Sequence, residues 1–101
     1  MNVRMTSRYV KFRALLSNRE LDNFRAVLSN LMFDKKLAEG DQTLALRGPK
    51  PFRIFVFKRG ETLWVLGGHW ERKGEPTKEL EAYLAQAHLR LAAGAAPDDD
   101  L

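Results

Sequence analysis

With 101 residues, 45% of them hydrophobic, the chain is long enough for one domain around a single core, and the absence of cysteine excludes a disulfide framework or a thiolate metal site. Seventeen Lys and Arg stand against thirteen Asp and Glu for a net charge of +4, and because Asp98, Asp99 and Asp100 close the chain, the rest carries seventeen bases against ten acids. That excess suits a polyanionic partner, while the lack of a signal-length apolar run at the N-terminus and of any ~20-residue apolar span implies a cytoplasmic protein with no membrane segment.

Residues 9–15 alternate, with Val10, Phe12 and Ala14 on one side and Tyr9, Lys11 and Arg13 on the other, which predicts a half-exposed strand. Ser17-Asn18-Arg19-Glu20 then reads as a capping box bracketed by Leu16 and Leu21. Leu21, Phe24, Val27, Leu28, Leu31 and Met32 recur at helical spacing, and Ser29-Asn30 divides this helix from a short second one ending near Gly40.

Residues 42–47 predict a second strand with Leu44 and Leu46 inward and Arg47 at its end, followed by a turn at Gly48-Pro49-Lys50-Pro51. Residues 52–58 and 62–67 are rich in aromatic and β-branched side chains and flank Lys58-Arg59-Gly60-Glu61. They predict an antiparallel hairpin, with a bulged loop preferred to a two-residue turn because Arg59 tolerates a positive φ poorly. Both runs are apolar on both faces, the pattern of interior strands. Arg53 interrupts one of them, and its charge has to reach water, an acid or a ligand.

Glu75-Pro76-Thr77 opens a last helix, with proline at its first position and a stripe of Leu80, Tyr83, Leu84, Ala87 and Leu91 that Gly94 ends. Residues 95–101 read as a disordered acidic tail, leaving 1–94 as a single domain. The expected fold is α+β, a two-layer sandwich with the N-terminal helix or helical pair and the C-terminal helix packed on one side of a mainly antiparallel sheet.

Three local runs, in this order, resemble a known family: Phe52-Arg53-Ile54-Phe55-Val56-Phe57; Leu63-Trp64-Val65-Leu66-Gly67-Gly68-His69-Trp70 followed by the basic pair Arg72-Lys73; and Glu75-Pro76-Thr77 opening a helix. Together they make residues 46–91 similar to the C-terminal half of the RelE/HigB toxin superfamily of type II toxin–antitoxin systems, in particular its phage-related branch. The resemblance implies a metal-independent, ribosome-dependent endoribonuclease that cleaves messenger RNA, needs no cofactor and is neutralised by a cognate antitoxin. In such a reaction the 2′-hydroxyl attacks its own phosphate and cations stabilise the charge on phosphorus.

On that resemblance the catalytic candidates are Arg53, Arg72, Lys73 and Tyr83, and the RNA-binding candidates are Arg47, Lys50, Arg53, Lys58, Arg59, Arg72 and Lys73. Bland readings stand beside these: Arg53 paired with an acid, Arg72 and Lys73 as solvated loop charges, Tyr83 in the helix core stripe, and His69 and His88 as a strand-end residue and a helix C-terminal charge. Trp64, Trp70 and Phe55 are candidates for base stacking or, more simply, for the core. No metal-ligand cluster, Gly-rich phosphate loop or serine–histidine pair is present at motif spacing. The other function class is a catalytically silent phage or mobile-element protein that uses the same basic surface to bind a protein or nucleic acid.

Overall fold

The hairpin expected at the centre forms β3 (Phe52–Arg59) and β4 (Thr62–Trp70), which are also the two inner strands of the sheet. The computed structural model describes residues 2–101. Around the hairpin lie β1 (Asn2–Met5), α1 (Ser7–Arg13), α2 (Asn18–Phe33), β2 (Gly40–Leu46) and α3 (Lys78–Ala92), with a single 3-10 turn at Glu71–Lys73. Strand order is β1-β4-β3-β2; β2, β3 and β4 are antiparallel, and only β1 runs parallel to its neighbour. The fold is therefore α+β with a mainly antiparallel sheet. Among the described residues no helix is long and apolar enough to cross a membrane.

The hairpin turn is tighter than expected. Arg59 pairs with Thr62, so Gly60 and Glu61 alone form the loop, and the positive φ falls on Gly60 at 59°. A glycine with positive φ at the first of two central positions is the pattern of a type II′ turn, whose twist matches that of the strands. Arg59 stays in the strand and never meets the conformation that argued against a two-residue loop.

An irregularity lies further along: Val56 pairs with Val65 but Phe55 with Gly67, so Leu66 is an extra residue in β4. Side chains alternate between the faces of a strand, so one inserted residue reverses the parity of everything after it. Gly68 and Trp70 thereby join Ile54 and Phe52 on one face, and Gly67 and His69 join Phe55 and Arg53 on the other.

Both faces are covered by helix, in contrast to the one-sided sandwich expected. On one, Tyr9, Phe12 and Leu16 from the α1 region and Phe24 and Leu28 of α2 pack with Leu44, Leu46, Phe52, Ile54, Val56, Leu63 and Val65. On the other, Ala87 and Leu91 of α3 pack with Phe57, Trp64 and Leu66, with Tyr83 and Leu84 alongside. The reason lies in the hairpin, whose strands are apolar on both sides and need cover on both.

Residues 9–15 are not a strand. Thr6 accepts from the Tyr9 N–H at 3.2 Å and caps α1, and the helix buries Tyr9 and Phe12, with Leu16 buried just beyond its end. The N-terminal strand is instead Asn2–Met5, at the edge of the sheet beside residues 62–65 of β4. α2 is likewise one helix through Phe33, with the Ser17–Glu20 capping box in place and no break at Ser29-Asn30. It ends before Gly40 because Lys35 adopts φ 54°, and the Lys36 and Lys35 N–H groups return to the Leu31 and Met32 carbonyls. In α3 the cap is Thr77, which accepts from the Leu80 N–H at 3.1 Å, so Pro76 precedes the cap and does not open the helix.

Residues 95–101 are docked, where a disordered tail was expected. The Asp99 carboxylate accepts from the Ser7 hydroxyl and the Arg8 N–H, both at 3.1 Å, and from the Tyr83 hydroxyl at 2.7 Å. Asp100 pairs with Arg4 at 2.7 Å, Pro97 is buried, and the Leu101 N–H reaches the Met5 carbonyl. Charge that reads as solvated in sequence is satisfied here by donors from the other end of the chain.

Candidate functional site

The last turn of the hairpin away from its loop gathers most of the predicted cations. β3 begins just after Lys50, β2 ends just before Arg47, and β4 runs directly into the 3-10 turn that holds Arg72 and Lys73. The Glu71 N–H donates to the Pro51 carbonyl at 3.0 Å and Arg72 Nη2 to the Pro49 carbonyl at 2.7 Å, which ties the two segments together. Arg47, Lys50, Arg72 and Lys73 are exposed there.

Arg53 is directly opposite His69, on the face that α3 covers only in part. Ala45 and Thr43 on the neighbouring strand are exposed, and Arg53, Phe55 and His69 are half-buried. Arg53 Nε lies 3.3 Å from Glu71 Oε1, with 41% and 35% of the two side chains exposed, so the bland reading of this arginine is realised in part. A half-solvated pair of that kind contributes only about 0–1 kcal/mol to stability, and most of the guanidinium's donors remain free. His69 Nε2 is 2.9 Å from the Gly74 carbonyl. Since a carbonyl only accepts, Nε2 carries the hydrogen and neutral His69 presents Nδ1 as its acceptor.

Lys58 and Arg59 sit at the other end of the hairpin, roughly 17–20 Å from Arg53 at ~3.3 Å per residue. Both are occupied by the fold. Lys58 pairs with Glu39 at 2.8 Å, and the same carboxylate accepts from the Gly60 N–H, which holds it below the ordinary glutamate range. Arg59 donates to the Leu91 and Ala95 carbonyls at 2.7 and 3.2 Å, completing the C-terminus of α3, and stacks over Trp64.

Tyr83 is also apart from Arg53. Its hydroxyl donates to Asp99 and its ring lies under the Arg8 guanidinium at 4.5 Å. Burial, with the Asp99 carboxylate adding to it, pushes this hydroxyl well above the ordinary tyrosine range, and burial also raises Tyr9. Such a group holds its proton and is poorly placed as a base.

These are the chain's two tyrosines. The unfolded chain releases both protons near pH 10, while the native state keeps them, so their contribution to stability is complete below about pH 10 and declines as pH rises beyond it. Tyrosinate absorbance of the native protein should lag that of the urea-unfolded chain during alkaline titration, and Asp99→Asn should reduce the lag. Coincident titrations without unfolding would contradict the upward shift that burial gives both hydroxyls.

His69 is a strand-end residue as expected, one position from the end of β4, but it also faces Arg53. Its place beside Arg53 follows from the extra residue in β4, and Gly67-Gly68 was the available signal, since glycine inside a strand marks a bulge or a close approach. His88 is not a free helix-end charge either: it stacks beside Phe57 at 5.7 Å, with Nδ1 3.9 Å from Asp41. In comparisons with known proteins, no family model and no curated protein matches the chain.

Proposed function

We propose that this protein is a RelE/HigB-like toxin, a metal-independent endoribonuclease acting on ribosome-bound messenger RNA in the cytoplasm and neutralised by a cognate antitoxin. The observation that carries the reading is that Arg53 and His69 are paired across β3 and β4 at the end of the sheet from which the loops with the exposed cations Lys50, Arg72 and Lys73 extend. The element order of strand, two helices, three antiparallel strands and helix also supports it.

In this mechanism Lys50, Arg72 and Lys73 hold the RNA backbone, and Arg53 turns its free N–H groups to the scissile phosphate. His69 Nδ1 takes the proton from the attacking 2′-hydroxyl, with the ring held by Gly74. Tyr83 drops out of the proposed chemistry, and Lys58 and Arg59 out of the proposed RNA contact.

A second reading, a catalytically silent binder of RNA or protein, is favoured by one observation: Arg53 and Tyr83 are both partnered by carboxylates. Induced expression separates the two. The toxin reading predicts arrested growth and cut messenger, relieved by the adjacent gene's product, and intact messenger with normal growth contradicts it. Binding tests the surface itself. Replacing Lys50, Arg72 and Lys73 with Ala should flatten the dependence of log affinity for RNA on log salt by about one unit per lost contact. Salt-insensitive binding would point to an apolar protein interface instead.

A further inference from the structure

Beside the basic turn lies an open cavity of about 370 Å³ lined by Leu15, Lys50, Pro51, Trp70, Arg72 and Lys73. Its floor is aromatic and aliphatic and its rim is cationic. Trp70 is held from behind, with its ring 5.3 Å from Phe12 and 5.6 Å from Phe52, yet it is only partly buried and its remaining surface faces the cavity. Leu15 is 68% exposed at the edge. Among the described residues none of Lys50, Arg72 and Lys73 is in an ion pair. The Pro49 carbonyl fixes one Arg72 nitrogen and orients the guanidinium without neutralising it.

We propose that this cavity is a nucleobase subsite, in which an unpaired base of a single-stranded RNA stacks on Trp70 while its flanking phosphates meet Lys50, Arg72 and Lys73. The inference rests on the reading of this end as an RNA-binding surface and adds to it a base-binding subsite on the sheet face opposite Arg53 and His69. A rigid, preorganised indole offers a stacking platform that any base can use, because every base has a π-face. Three cations with no protein carboxylate against them are complementary to phosphate and not to an acidic-poor or purely apolar ligand. In a duplex the base faces are already stacked on one another and only the backbone is within reach, so this cavity selects single strands. Trp64, the only other tryptophan, is 4% exposed beneath Arg59 at the far end and cannot report on the same event.

The test is titration of the intact protein with an RNA hexamer and with a duplex of the same sequence, read by tryptophan fluorescence and by anisotropy of labelled RNA. The expected result is quenching by the hexamer and tighter binding of the hexamer than of the duplex. Trp70→Phe should remove the quench while keeping affinity within a few-fold, and Trp70→Leu should weaken hexamer binding roughly 5- to 150-fold, the range for loss of one stacked base. Because Trp70 also packs on Phe12 and Phe52, the quench and its loss in Trp70→Phe stand as the decisive readout should Trp70→Leu fail to fold. Equal, salt-sensitive binding of both RNAs without quenching overturns the subsite and leaves the phosphate-binding surface intact. Failure to bind either RNA overturns both.

Discussion

Gly68→Ala should melt far below the wild-type protein, whereas Gly67→Ala, one residue away, should melt close to it. A Cβ on Gly68 would lie 2.3 Å from Phe12 Cδ1 and 2.4 Å from Cε1, distances no carbon pair sustains. The ring has little room to retreat, since it is wedged against Phe52 at 6.0 Å and Trp70 at 5.3 Å. Overpacking of this kind costs typically about 1–3 kcal/mol and occasionally more, and the rigidity of an aromatic cluster puts Gly68 at the upper end. For a domain of this size each 1 kcal/mol is about 4–8 °C, so the expected drop is on the order of 10–20 °C. A Cβ on Gly67 meets only Arg8 and Leu80 side-chain atoms at 3.7–3.8 Å, which is ordinary contact. Equal melting temperatures for the two variants would contradict the wedging of α1 against β4 and with it the register after Leu66.

That register also marks the limit of what the sequence discloses. The hairpin, the inward Leu44 and Leu46, the Ser17 capping box and the glycine after α3 are local signals, each fixed by residues within a few positions of one another, and each can be read directly. Residues 9–15 are ambiguous because so short a stretch satisfies both periods: Phe12 belongs to the alternating set Val10-Phe12-Ala14 and also to the helical set Tyr9-Phe12-Leu16, which runs on past it. Thr6 as a cap breaks the tie. Lys35 in the left-handed region gives no hint of a helix end, because glycine or asparagine is the usual residue there.

The docked tail is harder still. Asp99 is satisfied by Ser7, Arg8 and Tyr83, partners 92, 91 and 16 residues away, and no periodicity records such a meeting. Of the candidate site, Arg53 stood out as the lone charge in an apolar strand and Lys50, Arg72 and Lys73 as loop cations. What the sequence does not disclose is which of the basic residues lie at the same end of the sheet. Lys58 and Arg59 look equivalent to the others in sequence and are separated from them by the length of a strand.

Arg53 is the residue whose loss should cost the most activity for the least stability. Its one ion pair, with Glu71, is half exposed, so Arg53→Ala should lower the folding free energy by no more than about 1 kcal/mol. If its free N–H groups stabilise the charge that develops on phosphate, removing them should cost about 2.7–4 kcal/mol in the barrier, a hundred- to thousand-fold in rate. Arg53→Lys keeps a charge but loses the planar fork, and should recover only part of that rate. Glu71→Gln, which releases the guanidinium, should leave cleavage no slower than in the wild type. The most direct measurement is the single-turnover rate of cleavage of ribosome-bound messenger by the wild type, Arg53→Lys and Arg53→Ala, with thermal melting of each alongside. The expected result is a rate that falls in that order by a factor of at least a hundred overall while the melting temperatures stay within a few degrees. A wild type that leaves the messenger uncut, or an alanine variant that cuts as fast as the wild type, would contradict the assignment of this end of the sheet as a ribonuclease site.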